Sequence, residues 1–139
     1  MNSKLNLIAL LLLTFLPTSI LQAQATPDQI ADKFFKIYKM SPDKGIDYIF
    51  NSNKWIADEN EKAIDHVKTE LNKLVELVGE YYGYEEISTK NVGESYKIIS
   101  YLIKYDRQPL RFIIEFYKAN DQWQVQNFKY DDQITELLE

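Results

Sequence analysis

Four side chains of mixed character alternate at Arg111, Ile113, Glu115 and Tyr117, where a cation, a carboxylate and a phenol share a face with an aliphatic group. A period of two is the repeat of a strand, so all four should project to the same side. Glu115 between Ile113 and Tyr117 is the carboxylate best placed to have its pKa raised, as a general base or a ligand anchor requires. Arg111 cannot pair with it directly, because four residues along a strand cover roughly 13 Å. Each charge therefore needs a partner on a neighbouring strand. Tyrosine adds an apolar ring with a polar tip, and eight of the ten tyrosines lie at or beyond Tyr81. Such rings suit an amphipathic ligand, and Tyr101 and Tyr117 are the candidates that residue parity selects. The candidate ligand-lining set is thus Tyr101, Arg111, Ile113, Glu115 and Tyr117. A solvated face or a subunit contact accounts for the charges more readily than catalysis does.

No other pattern carries chemistry. His66 is the only histidine, and it sits off the apolar stripe of its helix, where a lone imidazole neither builds a zinc site nor serves as a base. Asp58-Glu59-Asn60-Glu61 and Asp131-Asp132 lack the alternation and the glycine of a calcium loop. Serine–histidine–aspartate, phosphate-loop and dinucleotide patterns are missing. No catalytic residue, metal or cofactor is assigned. A net charge of −5 with no basic stripe excludes nucleic acid as the expected partner.

The elements that would position the candidate face begin after a leader. Lys4 precedes the apolar run Leu5 to Leu16, Pro17 breaks it, and Ala23-Gln24-Ala25 has the small-x-small form of a signal peptidase site. Residues 1–25 are expected to be a cleaved signal peptide and residues 26–139 a single domain, exported to the periplasm or secreted. The apolar run is too short to span a bilayer, so no membrane attachment is expected after cleavage. Cysteine is absent, which excludes both disulfides and a lipid-modified N-terminal cysteine.

In the domain, Thr26-Pro27-Asp28-Gln29 reads as a capping box opening a helix to Met40, and Ser41-Pro42-Asp43 opens a second. A third, longer helix is predicted from Ile56 to Val78, with Gly79 as its stop. The period then falls to two over Tyr81 to Thr89, Glu94 to Tyr105, Leu110 to Tyr117 and Trp123 to Tyr130. Connections this short cannot hold crossover helices, so an antiparallel meander is predicted. Leu110, Phe112, Ile114 and Phe116 should face the helices and the odd positions should face away.

This order of elements, with Gly79-x-x-x-Gly83-Tyr84 leading into the sheet and Trp123-Gln124-Val125 in the last strand, resembles the nuclear transport factor 2-like superfamily, notably its small exported bacterial members. The resemblance implies an α+β cone in which three N-terminal helices pack on a curved four-stranded antiparallel sheet. It implies an exported, non-catalytic binding or protein-interaction module with room for a small apolar or amphipathic ligand, and a homodimer through the sheet. The alternative it offers is a small pocket enzyme of the isomerase, cyclase or dehydratase kind. No position matches those enzymes' catalytic motifs.

Overall fold

A computed structural model of the chain describes residues 24–138. All but the last two residues of the expected leader lie outside the described residues. Thr26 caps the first helix, α1 (Pro27–Met40): its hydroxyl accepts from the Gln29 N–H while Gln29 Oε1 accepts from the Thr26 N–H. Ser41 ends α1 and starts α2 (Pro42–Asn51). Gly45 is where the two helices meet, since a Cβ there would stand 3.0 Å from that of Tyr38.

The single third helix predicted from Ile56 is two helices. α3 (Lys54–Glu59) and α4 (Glu61–Val78) are separated by Asn60, whose backbone leaves the helical region at φ −126°, ψ 26°. The Asn60 backbone serves both helices, its N–H donating to the Ile56 carbonyl to close α3 and its carbonyl accepting from the Ile64 N–H to open α4, and Glu61 complements the N-terminal dipole of α4. Gly79 closes α4 at φ 93°, a conformation that disfavours any side chain. Arg107 completes that end: its backbone N–H reaches Val78 O and its guanidinium reaches Leu77 O.

The strands β1 (Tyr81–Val92), β2 (Tyr96–Tyr105), β3 (Leu110–Lys118) and β4 (Trp123–Asp131) pair in sequence order as one open antiparallel sheet. Among the described residues the architecture is α+β, with four α-helices where three were expected. Leu110, Phe112, Ile114 and Phe116 are all 0% exposed, so the even face of β3 is the helix-facing one. Phe34, Phe35 and Tyr38 of α1 and Ile46 and Ile49 of α2 meet it. Phe34 lies 6.0 Å from Phe128 and 6.4 Å from Phe112, ring centre to ring centre. Aromatic rings fill the space between the layers, and the Tyr38 and Tyr105 hydroxyls share a buried 2.7 Å hydrogen bond within it.

Strand β4 departs from strict alternation. Glu115 pairs with Asn127 but Phe116 pairs with Val125, leaving Gln126 as an extra residue. Beside this bulge the backbone of Val125 is held from the helix layer: its N–H donates to Ser52 Oγ at 2.9 Å, and its carbonyl accepts from Asn53 Nδ2 at 3.1 Å. The loop between α2 and α3 thereby covers part of an edge strand that would otherwise offer free backbone groups.

Candidate functional site

The face of the sheet turned away from the helices carries four of the five residues singled out by sequence. Arg111, Ile113 and Glu115 are half-buried there and Tyr117 is exposed. Tyr101 does not join them. Odd positions of β2 pair with even positions of β3, Tyr101 with Phe112, so Tyr101 turns inward, edge-on to Phe35 at 5.0 Å. Grouping it with Tyr117 by odd number fails because parity does not carry across a turn; register does.

Each charge on this face has the cross-strand partner its spacing demanded. The Arg111 guanidinium donates twice to Asp131, at 2.9 and 2.7 Å, and once to Glu136 at 3.2 Å. Glu115 accepts from the Tyr96 hydroxyl at 2.5 Å, from Lys129 at 2.9 Å and from Asn127 at 3.3 Å. With its side chain only 15% exposed, Glu115 depends on those donors to stay charged. Burial pulls its carboxyl upward, but the bonds from Tyr96, Lys129 and Asn127 together outweigh burial and hold it below the usual carboxylate range. Asp131 follows the same balance, with burial opposed by Arg111 and the Gln133 N–H. The bond to Glu115, with some burial, pushes the Tyr96 phenol up to about 12. This is the ordering of an ion-pair network, whereas a general base at neutral pH needs the opposite shift.

Between the charges the face is apolar. Ile98, Leu102 and Ile113 surround Ser100, which is 9% exposed, so the centre dips around a short side chain. Val92, at 64% exposed, and Tyr117, at 37%, extend this surface to one end of the sheet. Tyr96, Asn127, Lys129 and Asp131 escaped the sequence reading as partners. Their contacts are fixed by register and by the β4 bulge, and neither is written in any one strand's own pattern. His66 is exposed on α4.

Compared with known proteins, the chain matches no family model, no curated protein and no solved structure.

Proposed function

We propose that the protein is an exported, non-catalytic interaction module of nuclear transport factor 2-like build, and that it self-associates through the outer face of its sheet. The observation that carries this reading is the division of labour between the two faces. The helix-facing side is occupied by its own aromatic rings, whereas the outer side carries the half-buried Ile98, Leu102 and Ile113 and the exposed Val92 and Tyr117. An apolar centre inside a polar rim is the anatomy of a protein interface.

Charge favours a second copy as the occupant. On this face Lys90, Lys104, Arg111 and Lys129 balance Glu85, Glu115, Asp131 and Glu136, in a chain whose net charge is −5. A two-fold contact places one patch against itself, so it needs both signs within that patch. The depressed pKa of Glu115 weighs against the pocket-enzyme alternative. Export rests on the leader pattern, the apolar run Leu5 to Leu16 followed by Ala23-Gln24-Ala25.

Sedimentation equilibrium of the purified protein tests self-association, and mass spectrometry of exported material tests the leader. A dimer that Ile113→Arg converts to a folded monomer, and a chain starting at Thr26, are the expected results. A monomer at every concentration reached refutes the self-association, and an intact Met1 on exported protein refutes the leader.

A further inference from the structure

A second surface, at the opposite side of the sheet's β3–β4 end, has a different chemistry. A groove of about 680 Å³ runs between α1, α2 and the start of β4, with Tyr48 and Trp123 in its walls and Ile30 below. That volume is in the range of small-molecule sites. It adjoins a second, smaller groove of about 290 Å³ over the β3–β4 turn, and Gln24 and Gln122 belong to both. Asn120 and Gln124 line the smaller one. Among the described residues, the carboxamides of Asn120, Gln122 and Gln124 make no side-chain hydrogen bond to one another or to the rest of the fold. Each can donate twice and accept.

We propose that this continuous groove binds a neutral oligosaccharide. A sugar ring has two recognisable parts, a face of polarised C–H bonds and a rim of vicinal hydroxyls that both donate and accept. Aromatic rings meet the first and carboxamides the second. Tyr48 and Trp123 each already draw a cation to the ring face: Lys33 Nζ lies 5.0 Å from the Tyr48 centroid and Lys118 Nζ 5.2 Å from that of Trp123. Both rings also line the groove, and the C–H face of a pyranose is attracted by the same ring quadrupole that draws an ammonium. The lysines are on long flexible stems and can swing aside.

The lining also discriminates. An apolar ligand would bury carboxamides without partners, at the cost of their desolvation. A polyanion would meet Asp121 in the smaller groove and a net charge of −5. Two adjoining grooves that meet at Gln122 suit a chain of several sugars better than one. Gln24 and Ala25 precede the expected cut before Thr26, so the proposal stands on Tyr48, Trp123 and Gln122, which processing retains. It is independent of self-association through the other face.

The test is isothermal titration calorimetry of the purified protein with cellohexaose, chitohexaose, maltohexaose, xylohexaose and laminarihexaose, with polygalacturonate as an acidic control. At least one neutral hexasaccharide is expected to bind. Trp123→Ala should weaken it about tenfold or more, equivalent to ~1.4 kcal/mol, and Trp123→Phe should weaken it less. Gln122→Ala, on the exposed rim, should weaken binding without lowering the unfolding temperature, and it carries the test if Trp123→Ala fails to fold. The chain has two tryptophans, so Trp55→Phe leaves Trp123 as sole reporter, and its fluorescence should change on saturation. Ile113→Arg, on the other face, should leave affinity unchanged. The proposal is overturned if no neutral hexasaccharide binds into the millimolar range, if Gln122→Ala and Trp123→Phe both bind as wild type, or if only polygalacturonate binds and added salt abolishes it.

Discussion

Asn53 joins the two layers of the fold, and replacing it should cost more than any other single polar side chain. It is 2% exposed, its Oδ1 accepts from the Trp55 N–H at 3.2 Å, and its Nδ2 donates to the Val125 carbonyl at 3.1 Å. Asn53→Ala removes both bonds. Loss of an N-cap costs about 1 kcal/mol. Trp55 is exposed, so water can take over its N–H, but Val125 is 0% exposed, and stranding its carbonyl adds about 1–3 kcal/mol. The expected loss is therefore about 2–4 kcal/mol, a large part of a domain's usual 5–15 kcal/mol. Urea unfolding followed by far-ultraviolet circular dichroism reads it directly, as a fall in midpoint of about 1–4 M at a slope of about 1–2 kcal/mol/M. Asn53→Asp sharpens the test, because it keeps the acceptor for Trp55 and sets a second acceptor against the Val125 carbonyl. It should be at least as destabilising as Ala. A loss below about 0.5 kcal/mol for Asn53→Ala, or wild-type stability for Asn53→Asp, would refute the clamp.

Three further outcomes follow from the same geometry. Ile114→Asp buries an unpaired carboxylate at a 0% exposed site and should cost several kcal/mol, while Ile113→Asp on the outer face should be much milder; the reverse order of urea midpoints would invert the face assignment. Glu115 and Asp131 both have folded pKa values below their ordinary ones near 4.3 and 3.9. In acid the unfolded chain therefore binds more protons, so the stability they contribute is full above about pH 5 and is lost as pH falls through the depressed values. Glu115→Gln should flatten that decline in unfolding temperature, and an unchanged acid limb would sink the network. Tyr38→Phe leaves the Tyr105 hydroxyl without its 2.7 Å partner and should cost about 1–3 kcal/mol, with the Tyr38→Phe/Tyr105→Phe double variant losing less than the sum of the singles; strict additivity in urea unfolding contradicts a shared bond.

Local signals made much of this architecture legible. The Thr26 capping box, the stop at Gly79 after Val78 and the alternation of β3 all depend on near neighbours, and all stand as read. The failures share a cause. Asn60 splits a helix without disturbing the apolar period around it, so periodicity alone joins α3 to α4. Tyr101 was assigned by number, yet its face is set by the turn from Asp106 to Pro109, which fixes which residue of β2 meets which of β3. In β4 the two buried positions Val125 and Phe128 are three apart, a spacing that belongs to neither period until Gln126 is recognised as a bulge. Phe35, next to Phe34, packs on the Tyr84 ring at 3.7 Å on the flank of the stripe that Ile30, Phe34 and Tyr38 define.

Glu115 shows why the chemistry was harder to read than the fold. Its neighbours along the strand, Ile113 and Tyr117, would raise a carboxyl's pKa; its neighbours across the strands, Tyr96, Asn127 and Lys129, lower it, and they prevail. A carboxylate becomes a base when it is denied donors, and here three converge on it. The same pairing bears on association. Burying an unpaired charge in an interface carries the full cost of its desolvation, whereas Arg111 and Glu115, at 11% and 15% side-chain exposure, are already largely out of water and already bonded to Asp131 and Lys129. Most of their desolvation occurs during folding rather than on docking. In the proposed self-association, a second copy would meet this face with its central charges neutralised and its apolar centre between them, so that contact with Ile98, Leu102 and Ile113 would carry a smaller electrostatic penalty than the number of charged groups suggests.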